Sequence, residues 1–278
     1  MRAKKQPFFI YPNKPMAQFI DVFREVQRFQ VTEDGRGQVL NADYNFNGCS
    51  FKLSCYARVI HAGTSESPVL IYLPWYGGKS MQLKRLFGGK SDWTCIGIDI
   101  FNTREDFNKV LATAIGSQYA YALVLRMIAE QVHKVHEGHR RVGLVGFSYG
   151  ANVLGAYVSQ ALELPDAVVA IEGGSILETT LKTKYRNHDS DPRTLAALKK
   201  NPGLVPLQQP VSGKAAMISA AVINDTDLVV LGQRELWESA DRKLFISGRH
   251  FTTPLLKRSS IRLFIREHFE KLLVAGRM

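Results

Sequence analysis

Between residues 141 and 164 the chain passes from an apolar, strand-like run, Arg141-Val142-Gly143-Leu144-Val145, into a helix-like run, Ala151 to Leu164. The passage is made by Gly146-Phe147-Ser148-Tyr149-Gly150. A serine between two glycines at a strand-to-helix turn is exposed on a sharp corner. The glycines let the backbone pass close to its neighbours where a Cβ would clash.

The rest of the chain fits a sheet that could carry such a corner. From residue 69 onward, short apolar runs alternate with helical patterns, which predicts a mostly parallel sheet with helices on both faces. Strands are expected at Val69–Leu73, Thr94–Ile100, Val142–Val145, Ala167–Ile171, Ala215–Ile223 and Lys243–Ile246. Helices are expected at Ser80–Phe87, Ile115–Val135, Ala151–Leu164, 232–241 and 257–274. Ahead of them, Val39–Phe46 and Cys49–Ile60 flank Asn47-Gly48, a strong hairpin signal, and predict an antiparallel N-terminal pair. Residues 15–30 carry helical spacing through Phe19, Ile20, Phe23 and Val26, so a helical extension is expected within about 1–35. The fold class expected is α/β, in one domain over 1–278. Residues 175–213 interrupt the rhythm with Pro192, Pro202, Pro206, Pro210 and several basic residues, and long connections of this kind are usually functional.

Two further residues lie just past strand ends, the edge where open α/β sheets bind ligands. Asp227 follows the 215–223 strand in Asn224-Asp225-Thr226-Asp227-Leu228-Val229-Val230. His250 follows the 243–246 strand in Gly248-Arg249-His250-Phe251. The chain order is serine, acid, histidine. With the Gly-Phe-Ser-Tyr-Gly corner and the turn Tyr72-Leu73-Pro74-Trp75-Tyr76-Gly77-Gly78, these pieces resemble the α/β-hydrolase family from about residue 36 to the C-terminus. The chain departs from the family at Pro74-Trp75, which stand where a His-Gly dipeptide is usual.

The resemblance implies a serine hydrolase acting on a carboxylic ester, less readily an amide. Ser148 would be nucleophile, His250 base and Asp227 orienting acid, with the backbone N–H groups of Tyr76 and Tyr149 facing the oxyanion. It also implies that 175–213 form a short, basic lid. An acyltransferase using the same three residues, and a binding protein on a hydrolase scaffold, are the alternatives. Asp225 competes with Asp227 for the acid role. Glu172, after the 167–171 strand, is a further candidate for it, or else borders the acyl site. Taken singly, Ser148 could be a turn residue, Asp227 a loop cap and His250 a surface histidine.

Composition narrows the other classes. Net charge is +11, from 36 basic and 25 acidic residues. The basic residues are dispersed and form no aromatic-basic RNA motif, zinc finger or basic helix array, so no nucleic acid partner is expected. Lys79, Lys84 and Arg85, with the basic residues of 175–213, point to an anionic small-molecule or acyl ester substrate. No G-x-x-x-x-G-K-[ST] loop occurs and no G-x-G-x-x-G follows a strand, so no cofactor is expected. His133, His136 and His139 are spaced by three near a helix end. They are read as a cationic last turn against the helix dipole rather than as a metal site. Three cysteines, Cys49, Cys55 and Cys95, are read as free thiols, because Cys49 and Cys55 on one strand lie about 20 Å apart. With no apolar run of ~18 residues and no secretory signal read in the Pro-interrupted start, a cytoplasmic protein is expected.

Overall fold

A computed structural model of the chain describes residues 26–34, 37–46, 49–75, 78–87, 93–99, 114–161, 163–176, 208, 210–211 and 217–275. The expected hairpin is present. Strands β2 (Gly37–Phe46) and β3 (Cys49–His61) pair antiparallel in a register that ends on Phe46 opposite Cys49.

Ahead of it the expectation fails in part. Residues 26–30, placed in the expected helix over 15–30, belong instead to strand β1 (Val26–Asp34), antiparallel to β2. The remainder of that helix lies outside the described residues. The segment carries two periods at once. Phe29-Gln30-Val31-Thr32 alternates, as a strand does, and an adjacent strand edge offers a full hydrogen-bond ladder that a weak local helical preference does not match.

Beyond β3 the sheet turns parallel. β3 pairs antiparallel with β5 (Thr94–Asp99), and β5 runs parallel to β4 (Val69–Leu73). Parallel pairing continues through β6 (Val142–Phe147), β7 (Ala167–Ile171), β8 (Ile218–Asn224) and β9 (Arg242–Ile246). The nine described strands lie in the order β1-β2-β3-β5-β4-β6-β7-β8-β9. Order reverses at β4, which has β5 on one side and β6 on the other. Such a reversal opens a crevice at the carboxyl ends of the strands.

Every residue of β4, β6 and β7 is buried, as strands covered on both faces must be. Alternate residues feed two cores. Val69, Ile71, Leu144 and Val168 pack with Met127 and Ile128 of α2 (Ala114–Glu137), Val153 and Leu154 of α3 (Tyr149–Gln160), and Trp237 of α4 (Gln233–Trp237). On the other face, Leu70, Tyr72, Val145 and Val169 meet Leu83 of α1 (Ser80–Phe87). They also meet Ile261, Ile265 and Phe269 of α6 (Arg258–Ala275). A short α5 (Thr252–Leu256) precedes α6. Each fully buried aliphatic or aromatic side chain contributes about 1.5–3 kcal/mol, so the sheet is held firmly beneath its carboxyl edge.

Cys55 is a buried free thiol, and burial pushes it up; Cys95 is buried with its Sγ against Trp93 O. Cys49 has no described side chain. Most of the expected lid, 177–207, lies outside the described residues. Gln208, near its far end, donates to the carbonyls of Asn152 and Gly174 and accepts from the Ile176 N–H. Among the described residues, no helix is long and apolar enough to cross a membrane.

Candidate active site

Ser148 occupies the corner between β6 and α3 with φ 52° and ψ −112°, a region that costs a residue with a side chain of order 1–3 kcal/mol. Two backbone bonds hold it there. Its N–H donates to Ile171 O at 2.8 Å, and its carbonyl accepts from Asn152 N–H at 2.9 Å. The flanking glycines are needed sterically. A Cβ on Gly150 would lie 2.1 Å from Leu73 O, and one on Gly146 would lie 2.6 Å from Gly150 O.

His250 follows β9 and brings its imidazole to the serine. Nε2 lies 2.9 Å from Ser148 Oγ, across 102 residues of chain. On the far side of the ring, Nδ1 lies 2.7 Å from Asp227 Oδ2. Asp227 is fixed by its own turn, with Oδ1 accepting from Val229 and Val230 N–H and Oδ2 from Gln233 Nε2. Aromatic rings frame the imidazole. Phe147 lies 6.2 Å away, centroid to centroid, and stacks on Phe251, while Trp75 packs edge-on against both.

A second carboxylate meets the same nitrogen. Glu172, directly after β7, places Oε2 2.9 Å from His250 Nδ1. Its Oε1 accepts from Asn224 Nδ2 at 2.7 Å, and Oε2 also accepts from Phe251 N–H at 3.1 Å. Glu172 and Asp227 have fully buried side chains, and that of His250 is 14 % exposed. Burial pulls the imidazole down, but its hydrogen bond to Asp227, the close approach of Glu172 and the charges of both carboxylates outweigh that pull. The net effect raises His250 from 6.5 to about 9.

Among the described residues, Glu172, Asp227 and His250 form the one group of three that could offer ligand atoms to a metal ion. All four of their carboxylate oxygens already accept hydrogen bonds from the protein. The donor set is thus engaged in proton-mediated contacts.

The structure separates the two aspartates weighed for the acid role. Asp227 reaches His250, whereas Asp225 turns outward to Arg234, with Arg234 Nη2 2.9 Å from its Oδ2. Tyr149 is the first residue of α3, ahead of the first i to i−4 bond from Asn152 to Ser148. Tyr76 lies outside the described residues. His133 and His136 engage carboxylates: Glu163 lies 3.0 and 2.7 Å from their Nδ1 atoms, and Glu137 and Asp166 lie near their Nε2 atoms. His139, just past α2, sits at φ 53°. Gln233 and Asn224, which steady the two acids, were not singled out from the sequence; their one visible signal is closeness to strand-end carboxylates.

No family model matches the sequence, and no curated protein matches it. Among solved structures, the chain resembles Est1E from Butyrivibrio proteoclasticus, in a structure with ferulic acid bound. That likeness has a TM-score of 0.54 at 10% identity over 82% of this chain and 99% of the other. It also resembles a lipase-esterase related protein from Clostridium acetobutylicum ATCC 824, with a TM-score of 0.50 at 13% identity over 76% of this chain and 99% of the other. The architecture is the α/β-hydrolase fold.

Proposed function

We propose that the protein is a serine hydrolase that cleaves a carboxylic ester through an acyl-enzyme on Ser148. The observation that carries the reading is the unbroken run from Ser148 Oγ through the His250 ring to Asp227, with contacts of 2.9 and 2.7 Å. A free hydroxyl is a weak nucleophile at neutral pH and needs a base within hydrogen-bond reach.

His250 Nε2 takes the Ser148 proton as Oγ bonds to the ester carbonyl carbon, and the carbonyl oxygen gains the displaced electron pair. The Tyr149 N–H, joined by that of Tyr76, donates to this oxyanion. Collapse of the tetrahedral species expels the alcohol, which receives the proton back from His250. Water then attacks the acyl-enzyme by the same route, and the acid leaves. Asp227 keeps the imidazole in the tautomer that presents Nε2 to Ser148 and stabilises the imidazolium as it forms.

The names carried by the structural neighbours, a lipase-esterase related protein among them, support ester chemistry. Lys79, Lys84 and Arg85, following the β4 turn, support an acyl substrate with anionic character. The buried free thiol of Cys55 supports a reducing, cytoplasmic setting.

The test is labelling with a fluorophosphonate probe followed by peptide mapping. The expected result is a label on Ser148, absent in Ser148→Ala and weakened in His250→Ala. A folded protein that takes no label at Ser148 overturns the reading. A panel of neutral and anionic esters at low and high salt then sizes the acyl site and tests its charge preference.

A further inference from the structure

Glu172 has an expensive position. Its side chain is fully buried, its backbone sits at φ 50°, and it follows directly on β7. A buried carboxylate is strongly destabilising without a partner for its charge, and left-handed backbone at a non-glycine residue adds to that. Three of the four described non-glycine residues with positive φ are Ser148, Glu172 and Phe251. Two of them bear on Glu172 and His250 directly: Glu172 itself, and Phe251, whose N–H donates to Glu172 Oε2. Backbone strain at this site therefore converges on bringing a second carboxylate to one imidazole.

We propose that Glu172 is a positioning residue for His250, sharing the Nδ1–H with Asp227, so that either carboxylate can hold the ring with Nε2 toward Ser148. The proposal rests on the serine-hydrolase reading above. The geometry that carries it is the pair of contacts to one nitrogen, 2.7 Å from Asp227 Oδ2 and 2.9 Å from Glu172 Oε2. Asp227 reaches the ring from the loop after β8, Glu172 from the end of β7 and Ser148 from the corner after β6. Phe147 and Phe251, both uncharged, complete the wall. The imidazolium formed during acyl transfer then faces two carboxylates rather than one. A Glu172 that only binds Asn224 and Phe251 would still raise the proton affinity of His250 by its charge, but it could not hold the ring for Ser148 once Asp227 is replaced, so Asp227→Asn would then be as impaired as the double variant.

The experiment uses the full chain with Glu172→Gln, Asp227→Asn and the double variant. It reads His250 by NMR titration and Ser148 by the pH dependence of fluorophosphonate labelling. Sharing predicts that Glu172→Gln lowers the His250 titration by roughly one unit or more, as loss of a close opposite charge does, and that the rising limb of labelling moves with it. Asp227→Asn keeps labelling within about 10²-fold of wild type, while the double variant falls toward the ~10⁴-fold loss of a site stripped of its only acid. An unmoved titration in Glu172→Gln, or Asp227→Asn as impaired as the double variant, overturns the proposal. If Glu172→Gln does not fold, the Asp227→Asn labelling rate decides alone: retention supports sharing, and a ~10⁴-fold loss refutes it. Absence of label on the wild type would sink the hydrolase reading instead, and a His250 titration unmoved in Glu172→Gln would still overturn the pairing of Glu172 with the ring.

Discussion

The Ser148 hydroxyl and the His250 Nε2 stand 2.9 Å apart, held from two sides. Ser148 is pinned by a strained corner between β6 and α3, and His250 by two buried carboxylates beyond β7 and β8. Neither group depends on the other for its placement. Ser148→Ala should therefore leave the fold and the His250 environment intact while removing the nucleophile. The expected loss in kcat is on the order of 10⁵–10⁶-fold, with KM little changed. Ester turnover alongside a thermal melt checks this; a melt lowered in step with the activity would mean that the serine is structural.

Activity and stability should move in opposite directions with pH. As a base, His250 must be neutral, and with the ring raised to about 9 only about one hundredth of it is neutral at pH 7. kcat/KM should climb roughly tenfold per pH unit toward 9 and level off above it. The charged ring, however, is the form the fold favours. Its contribution to stability, on the order of a few kcal/mol, is complete below about pH 6.5 and is lost as pH rises through about 9. A pH–rate profile and denaturant midpoints over the same range test both limbs; a flat rate between pH 6 and 9 would contradict the raised titration of His250.

Much of this arrangement could be read from the residues, and the limits are physical. The glycines around Ser148 announce a close backbone approach, and Gly150 meets the Leu73 carbonyl. Strands β4, β6 and β7 announce themselves as unbroken apolar runs because both their faces are covered. Residues 26–30 misled because helical and alternating periods coexist there, and only pairing with β2 decides between them. Glu172 was visible as a strand-end acid, but its approach to His250 depends on the positive φ at Glu172 and Phe251, which residue identity does not announce.

Asp225 and Asp227 are two residues apart yet should differ sharply on substitution. Asp225 is partly exposed and pairs with the more exposed Arg234, an arrangement worth about 0–1 kcal/mol. Asp225→Asn should therefore keep kcat/KM within about twofold and stability within ~1 kcal/mol. Asp227→Asn leaves the site with Glu172 as its remaining carboxylate and should slow labelling clearly more than Asp225→Asn does. Equal effects of the two substitutions on Ser148 labelling would show that Asp227 gives the imidazole nothing that Glu172 does not already supply.

The corner itself stores strain that can be released at the cost of activity. At φ 52° and ψ −112°, Ser148 sits where glycine is comfortable and a side chain is not. Replacing it with alanine keeps that penalty, whereas glycine removes it, so Ser148→Gly should melt higher than Ser148→Ala by an amount equivalent to about 1 kcal/mol or more. Both variants lack the hydroxyl, so loss of the nucleophile cancels in the comparison. The neighbouring glycine gives the opposite sign. A Cβ at Gly150 would sit 2.1 Å from Leu73 O, a backbone atom on a buried strand with little freedom to yield. Gly150→Ala should destabilise by roughly 1–3 kcal/mol and displace the corner that carries Ser148. A Gly150→Ala variant with wild-type melting and labelling would show that the β4–α3 contact is looser than these distances require.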